Sequence, residues 1–418
     1  MNGTAQAGGL LFVGLNYAPE PVGIGPFTCG LAEGLAARGH AVRVITGRPY
    51  YPQWQAYQGF AGGWNTAQEN GVSVTRCPHY IPARPSGLKR VLHLASFAVA
   101  ALIPALGARK ARPLVVICIA PALLSVPVAW IAAKLAGGKL WIHVQDFEVE
   151  AAFATGLMGA NGLKGGGALA RLARWLENRL LRLGTRVSSI SPQMCAKLID
   201  KGVAETRVVE LRNWANAPAP DPADGAAYRQ QWQLGAAHVA LYSGNIANKQ
   251  GIEIVVEAAR RLGSRQDIAF VICGEGPNRA RLEGLAAGLS NISFHDLQPA
   301  GRMGELLSLA SVHLLPQIAG AADLVLPSKL ANMLGSGRPV VATASAGTGL
   351  YDEVQGCGIT TEPGDAAAFA EAIAALIDDP AQAQALGCEG VARAAERWSQ
   401  KHIVARFDEA IADLLRAA

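Results

Sequence analysis

Charged residues are scarce in this chain, and the signatures of several protein classes are absent from it. Lysine, arginine, aspartate and glutamate make up only 17% of the 418 residues, and the formal net charge is +5. A nucleic-acid-binding protein usually shows a strongly basic domain or a recognisable reading motif, and neither occurs here. We therefore expect no nucleic-acid partner.

Metal-binding and nucleotide-loop motifs are also missing. No two aspartates are separated by one residue, and none of the eight histidines stands at metal-ligand spacing from another histidine or a cysteine. The chain has no Walker loop, no nucleophile elbow and no complete G-x-G-x-x-G, since Gly23 and Gly25 are followed by Thr28. These absences predict an activity without a divalent metal or a cofactor, and they weigh against a dinucleotide oxidoreductase.

Cysteine usage and the N-terminal residues bear on the compartment. The seven cysteines are an odd number and include no C-x-x-C pair, which predicts free thiols in a reducing environment. No basic stretch precedes the short apolar run that begins at Leu10, so the sequence predicts no signal peptide. We expect a cytoplasmic protein.

Short β-branched runs alternate with longer Ala/Leu/Arg segments, which indicates βαβ units and parallel sheets. The runs are LLFVGL, AVRVIT, LVVICIA, KLWIHV and RVSSIS, then HVALYSG, IAFVICG, VHLLPQ and PVVAT. Residues 216–225, NAPAPDPADG, have the composition of a linker. The sequence thus predicts two doubly wound α/β domains, 1–214 and 215–399, with a C-terminal helix at about 400–418 that packs back on the first.

The turn NYAPEPVGIG, residues 16–25, is longer than a strand-to-helix connection requires. Glycines such as Gly23 and Gly25 let a backbone approach a ligand closely, and the helix N-terminus behind them favours negative charge. The alternative is a surface turn in which proline and glycine only end one element and start the next. This stretch alone leaves both interpretations open.

Three turns in the second half share a strand–glycine–helix pattern. YSGNIANKQG places Gly244 after a strand and Lys249 near the next helix, and VICGEGPNRARLE repeats the pattern at Gly274. AADLVLPSKLANMLGSGRPVV contributes Asp323, Ser328 and Lys329. Each turn alone is a common connection. Together they favour a diphosphate ligand, because lysines and helix N-termini can hold negative charge without a metal.

Two helical segments of the first half carry further hypotheses. Residues 91–108 contain no formal charge and have basic residues on both sides, which suits either a buried helix or a helix in the membrane interface. The segment ALARLARWLENRLLRL predicts a leucine face, with Leu172, Leu176 and Leu180, opposite an arginine face. Such a pattern is typical of a solvated surface helix, with membrane contact as the alternative.

Several longer stretches are similar to a known family. They are LNYAPEPVGIGPFTCGLAEGLAARGHAVRVITGRPYYPQW, LKRVLHLASFAV, IHVQDFEVEAA, LYSGNIANKQGIE and GAADLVLPSKLANML, in order from about Leu10 onward. They resemble the WcaI-type colanic acid glycosyltransferases of the retaining GT-B superfamily. The resemblance implies two Rossmann-like domains that face a central cleft.

The resemblance also implies that the second domain binds a UDP- or GDP-sugar donor. Lys249 occupies the position of the family's phosphate-binding lysine, while Asn245 stands where an arginine is usual, and Lys329 would supply the missing charge. The base would be recognised by backbone groups near Leu297 and Gln298. The implied donor-binding positions in this domain are Gly244, Asn245, Lys249, Gly274, Gln298, Ser328, Lys329 and Asn332.

In the first domain, PVGIG resembles the family's glycine loop, so Gly23 and Gly25 would face the donor diphosphate across the cleft. IHVQDFE resembles the loop at the sugar, with candidates His143, Gln145, Asp146 and Glu148. The family histidine corresponds to either His143 or Gln145. A satisfied strand histidine is the alternative for His143.

The chain departs from the family in its paired-glutamate motif. Asn332 stands at the second glutamate and Leu324 at the first, so Asp323 beside it would serve the donor sugar. The catalytic residues that the resemblance implies are His143, Asp146, Lys249 and Asp323. The departure keeps open a non-catalytic nucleotide-sugar-binding partner subunit.

The function implied is a retaining, metal-independent glycosyltransferase that moves a sugar from a UDP- or GDP-sugar to a lipid-linked polyprenyl diphosphate saccharide. We expect it to be peripheral on the inner face of the cytoplasmic membrane, in exopolysaccharide biosynthesis. An epimerase or a phosphorylase on the same fold is the alternative enzyme.

Overall fold

The computed structural model describes residues 9–21, 23–147, 168–215, 225–319 and 327–417. Glu148, Asp323 and residues 216–224 of the expected linker lie outside them, as do the side chains of Lys249 and Ser328. The chain divides into two compact units. One comprises Met1–Arg212 with Ile403–Ala418, and the other comprises Asn213–His402.

The described part of the first unit contains an eight-stranded sheet with the order β3-β4-β2-β1-β5-β6-β7-β8. All neighbouring strands are parallel except β3 and β4. Strands in the middle of a parallel sheet are covered on both faces, which is why β1 and β5 are nearly continuous apolar runs. The strands are β1 (Gly9–Val13), β2 (Ala41–Gly47), β3 (Asn65–Glu69), β4 (Val72–Cys77), β5 (Val115–Ala120), β6 (Lys139–Val144), β7 (Arg186–Ser189) and β8 (Val208–Glu210).

The helices of this unit connect its strands, and the C-terminal helix joins them. They are α1 (Gly25–Ala37), α2 (Gly87–Ala108), α3 (Val126–Ala136), α4 (Ala168–Leu181) and α5 (Pro192–Asp200). The last helix of the chain, Gln400–Arg416, stacks Phe407 on Trp141, with ring centroids 5.8 Å apart. Asp408 accepts hydrogen bonds from Arg38 and His40 just beyond α1. Residues 403–416 therefore belong to the first unit.

Helix α2 has a buried face and an exposed apolar face. His93, Phe97 and Ala101 are buried, whereas Leu88, Leu92, Val99 and Ile103 are between 51% and 73% exposed. Within the described residues, α2 alone has the length and composition of a membrane-crossing helix, a test that a core helix also passes. With one buried face and one exposed apolar face, α2 is neither a fully buried helix nor a typical solvated surface helix.

Helix α4 does not bury its predicted leucine face as a whole. Leu180 is buried, but Leu172, Trp175 and Leu176 are exposed. The buried face of α4 instead carries Glu177, whose carboxylate accepts a hydrogen bond from the Lys201 ammonium. Leu172 and Leu176 lie on the exposed face.

The described part of the second unit contains a six-stranded parallel sheet with the order β11-β10-β9-β12-β13-β14. Its strands are β9 (His238–Ser243), β10 (Ile268–Cys273), β11 (Ile292–His295), β12 (Val312–Leu315), β13 (Val340–Thr343) and β14 (Gly358–Thr361). Its helices are α6 (Gly225–Gln231), α7 (Glu253–Arg261), α8 (Arg279–Leu285), α9 (Met303–Ser308), α10 (Ser328–Gly335), α11 (Gly349–Val354), α12 (Ala366–Asp378) and α13 (Pro380–Arg397), and α14 is the C-terminal helix Gln400–Arg416. The prediction of parallel α/β sheets is confirmed.

Candidate functional site

Two glycine turns lie against each other at the carboxyl edge of the second unit's sheet. The Gly244 N–H donates to the Cys273 carbonyl at 2.9 Å, and the Ile246 N–H donates to the Glu275 carbonyl at 2.8 Å. A Cβ on Gly274 would lie 1.9 Å from the Gly244 carbonyl oxygen. Glycine is required at this position because any side chain would push the two turns apart.

An ammonium group is held beside these turns. Lys329, at the start of α10, donates from Nζ to the Tyr242 hydroxyl at 3.0 Å and to the Ser243 carbonyl at 3.2 Å. Its Nζ is 4.1 Å from the centroid of the Tyr242 ring, a cation–π contact. A Cβ on Gly244 would be 3.0 Å from the same nitrogen. The structure thus brings together Gly244 and Lys329, two of the predicted binding residues.

Tyr242 fixes this arrangement and was not identified from the sequence. Its ring is fully buried, and its hydroxyl donates to the Asn245 carbonyl at 2.5 Å. Burial raises the pKa of Tyr242 above its ordinary value, so the hydroxyl stays protonated. It can therefore accept from Lys329 while it donates to Asn245.

The other predicted donor residues surround this edge. Asn245 is exposed in the turn, and Lys249 lies in the short 3-10 turn Asn248–Gln250 that follows. Asn332 is half-buried on α10, three residues after Lys329, so the two side chains leave the helix on neighbouring faces. The described side chains thus place polar groups and the Lys329 ammonium group at two glycine turns and the N-terminus of α10.

Gln298 uses both ends of its amide within the protein. Its Oε1 accepts from the Tyr228 hydroxyl at 3.1 Å, and its Nε2 donates to the Asp296 carbonyl at 2.7 Å. The side chain therefore fixes the loop after β11, where Leu297 is 58% exposed. This geometry is compatible with a backbone contact to a base, which stays a prediction.

At the carboxyl edge of the first unit's sheet, a buried carboxylate organises the long turn after β1. Glu20 is 3% exposed, and its Oε1 accepts from the backbone N–H groups of Tyr50 at 2.9 Å and Tyr51 at 3.0 Å. Its Oε2 accepts from Asn16 Nδ2 at 2.8 Å. Its signal in the sequence is a lone acid between two prolines, which by itself indicates no function.

Local backbone conformation and close packing explain why this turn has glycine at positions 23 and 25. Gly23 has φ +74°, which disfavours other residues, and a Cβ there would lie 3.3 Å from the Tyr51 ring. A Cβ on Gly25 would lie 3.1 Å from the Glu20 side chain. Close packing therefore accounts for both glycines, whether or not a ligand also approaches them.

His143 lies in β6 rather than at the sheet edge. It is buried, its Nδ1 is 2.8 Å from the Ser188 hydroxyl, and its ring meets the edge of Phe407. Burial lowers the pKa of His143 to about 3, so the imidazole is neutral. These contacts do not support the prediction that His143 is catalytic, because they describe a satisfied strand histidine.

Two neighbouring candidates do lie at the edge. The Gln145 N–H donates to the Ala120 carbonyl at 3.2 Å, and its side chain is mostly buried. Asp146 is exposed, and its Oδ1 accepts from the Phe147 N–H at 2.8 Å. Among the described residues, no group of three His, Cys, Asp or Glu side chains could hold a metal ion.

Comparisons with known proteins give the family. A glycosyl transferase 4-like domain matches residues 22–214, and glycosyl transferases group 1 matches residues 237–379. The chain is 42% identical over 363 residues to the colanic acid biosynthesis glycosyl transferase WcaI of Escherichia coli (strain K12), with 85% of this chain and 88% of that protein covered.

Solved structures give the fold. Sucrose-phosphate synthase from Thermosynechococcus elongatus matches with a TM-score of 0.72 and 19% identity, over 98% of this chain and all of that one. Anabaena HepE in complex with UDP-glucose matches with a TM-score of 0.65 and 16% identity, over the same shares. The two family models and these structural matches together identify a glycosyltransferase of the GT-B fold. The chain belongs to the family of WcaI-type glycosyltransferases.

The close approach of the two glycine turns yields a stability prediction. Gly274→Ala should destabilise the second unit by about 1–3 kcal/mol or more, because the new methyl group overlaps the Gly244 carbonyl. Gly284→Ala is the control, since a Cβ on this α8 glycine meets nothing within 4 Å. Urea unfolding of both variants measures the difference, and equal midpoints would contradict the packing argument.

Proposed function

We propose that this glycosyltransferase moves a hexose-type sugar from a UDP- or GDP-sugar to a lipid-linked saccharide, a polyprenyl diphosphate sugar, in exopolysaccharide biosynthesis. The transfer retains the anomeric configuration and needs no divalent metal. One observation carries the donor assignment: the Lys329 ammonium group lies against the backbone of Gly244. A cation beside a glycine turn suits a diphosphate better than a neutral ligand.

Similarity to two known proteins supports the donor assignment and the proposed role in exopolysaccharide biosynthesis. HepE, which has the same fold, was solved in complex with UDP and with UDP-glucose. The relative WcaI is named for colanic acid biosynthesis, and colanic acid is an exopolysaccharide. The proposal covers both UDP- and GDP-sugars, because the Gln298 amide is hydrogen-bonded within the protein and leaves backbone groups to meet the base.

In the proposed reaction, the bond between the anomeric carbon and the diphosphate oxygen breaks as the acceptor hydroxyl attacks from the same face of the sugar. The departing phosphate oxygen takes the hydroxyl proton, so the chain needs no fixed nucleophile. The ammonium groups of Lys329 and Lys249 stabilise the charge that develops on the diphosphate. Asp146 and Asp323 hydrogen-bond sugar hydroxyls.

A thermal-shift screen tests the donor assignment. UDP, GDP and their sugars are added in the presence of EDTA, and one nucleotide should raise the melting temperature, because a ligand that binds only the folded state stabilises it. Free nucleotide should then appear only when a lipid-linked acceptor is present. No stabilisation by any nucleotide would favour the non-catalytic partner, and release without an acceptor would favour another enzyme on this fold.

The two lysines should contribute most of the charge stabilisation. Lys329→Ala and Lys249→Ala should each cost about 2–4 kcal/mol of transition-state stabilisation, which is the scale of one preorganised electrostatic partner. Lys329→Met is a control that keeps much of the side-chain volume without the charge, and it should lose as much as alanine. Unchanged kcat/KM in both alanine variants, or strict dependence on Mg²⁺ or Mn²⁺, would contradict the mechanism.

A lipid-linked acceptor would require the enzyme to act at the inner face of the cytoplasmic membrane. Helix α2 has a surface that is suited to contact that membrane. Leu88, Leu92, Val99 and Ile103 recur along one exposed face of the helix. Residues 70–145 contain no aspartate or glutamate, while Lys89 and Arg90 are exposed at the start of the helix. An apolar face with only positive charge nearby fits an anionic bilayer surface.

Charge reversal at the start of α2 tests this contact. Lys89→Glu with Arg90→Glu should weaken sedimentation with anionic liposomes by about 1 kcal/mol per basic residue removed from the surface. The thermal shift with nucleotide should survive, because neither Lys89 nor Arg90 is among the proposed donor-binding positions. The control is Lys401→Glu with Arg416→Glu, an equal charge change at exposed positions of α14. Unchanged liposome binding in the folded α2 variant would place the membrane contact elsewhere.

A further inference from the structure

We propose that Glu20 is a positioning residue that holds residues 49–54 in the shape that recognises the acceptor. This inference rests on the proposed function. The carboxylate joins two segments that follow different strands, the turn after β1 and the stretch PYYPQW after β2. Because both lie at the carboxyl edge of a parallel sheet, they are where such a sheet presents ligand-binding groups.

The joining contacts are specific. Both backbone N–H groups of the Tyr50–Tyr51 pair point at one carboxylate oxygen, Glu20 Oε1, at 2.9 and 3.0 Å. The other oxygen accepts from Asn16 at 2.8 Å. Burial raises the pKa of Glu20, and these three hydrogen bonds oppose that shift. Removal of the carboxylate would leave two nearly buried N–H donors without their acceptor, which costs more than the loss of an exposed contact.

The segment that Glu20 holds ends in a strained aromatic residue. Trp54 has φ +54°, a left-handed conformation that is unusual for a bulky side chain and often marks a functional position. Its indole packs against the rings of Tyr50, at 5.3 Å, and His93, at 5.5 Å, and is partly exposed. Such strain persists only when surrounding contacts determine the backbone.

The chemistry next to Trp54 suits a saccharide that carries a phosphate. The Arg90 guanidinium lies 5.3 Å from the indole centroid and is exposed at the start of α2. An aromatic ring offers a sugar an apolar surface, and a guanidinium offers phosphate oxygens paired N–H donors. Trp54 and Arg90 are therefore placed to contact the acceptor, whereas Glu20 acts through the backbone that carries Trp54.

Hydrogen exchange and acceptor kinetics test the inference together. Glu20→Gln keeps the size of the side chain and removes its charge, and Glu20→Ala removes every contact. We expect faster amide exchange at Tyr50 and Tyr51 in both variants, and an acceptor KM about tenfold higher, the scale of one lost charge-assisted hydrogen bond. In Glu20→Gln, whose side chain still packs against Gly25, the donor KM and the thermal shift with nucleotide should stay within twofold of the wild type. Glu33→Gln, on α1 of the same unit, is the control.

The outcomes are distinguishable. Faster exchange with an unchanged acceptor KM, or equal losses in donor and acceptor KM, would overturn the positioning role. Trp54→Ala in the Glu20→Gln background should add little to the acceptor KM if Glu20 acts through this loop, whereas independent effects would contradict it. If the wild type transfers sugar to no lipid-linked saccharide, the proposed function fails and the inference with it, although the exchange result still reports the loop contact.

Discussion

The direct contact between two backbone turns is the constraint on which the second unit's site depends. The turns after β9 and β10 approach so closely that Gly274 has no room for a side chain. That approach sets where Gly244 and Asn245 lie, and Tyr242 then orients both the Asn245 carbonyl and the Lys329 ammonium group. The charge at the site is therefore supported by buried, hydrogen-bonded atoms rather than by mobile surface groups.

How much of the fold the sequence predicts depends on where each strand lies in its sheet. Central strands such as β5 and β9 are buried on both faces, so their apolar runs are unmistakable. The strands that the sequence pattern does not single out are β3, β4, β8, β11 and β14, and all five lie at or next to a sheet edge. β3 reads NTAQE and is half-exposed, so neither composition nor burial distinguishes it from a loop.

Some residues of the candidate site could likewise be predicted from the sequence, and others could not. Lys329 and the glycines at 244 and 274 could be selected because they stand at recognisable turns. Glu20 and Tyr242 could not, since their importance comes from partners that only the fold brings within reach, 30 residues away for Glu20 and 87 for Tyr242. His143 shows the opposite case: the sequence indicates only a histidine near a strand end, and the register and the Ser188 contact place its ring in the interior.

The C-terminal helix has a consequence for biosynthesis. Phe407 covers Trp141 and His143, and Val404 fits against Gly34, yet these partners leave the ribosome more than 250 residues earlier. Because the ribosome makes the chain from the N-terminus, this apolar surface of the first unit stays uncovered until the whole second unit has been made. The native state of the first unit is completed only after residues 403–416 have been made, so a nonsense mutation before them would damage the N-terminal unit as well as remove this helix.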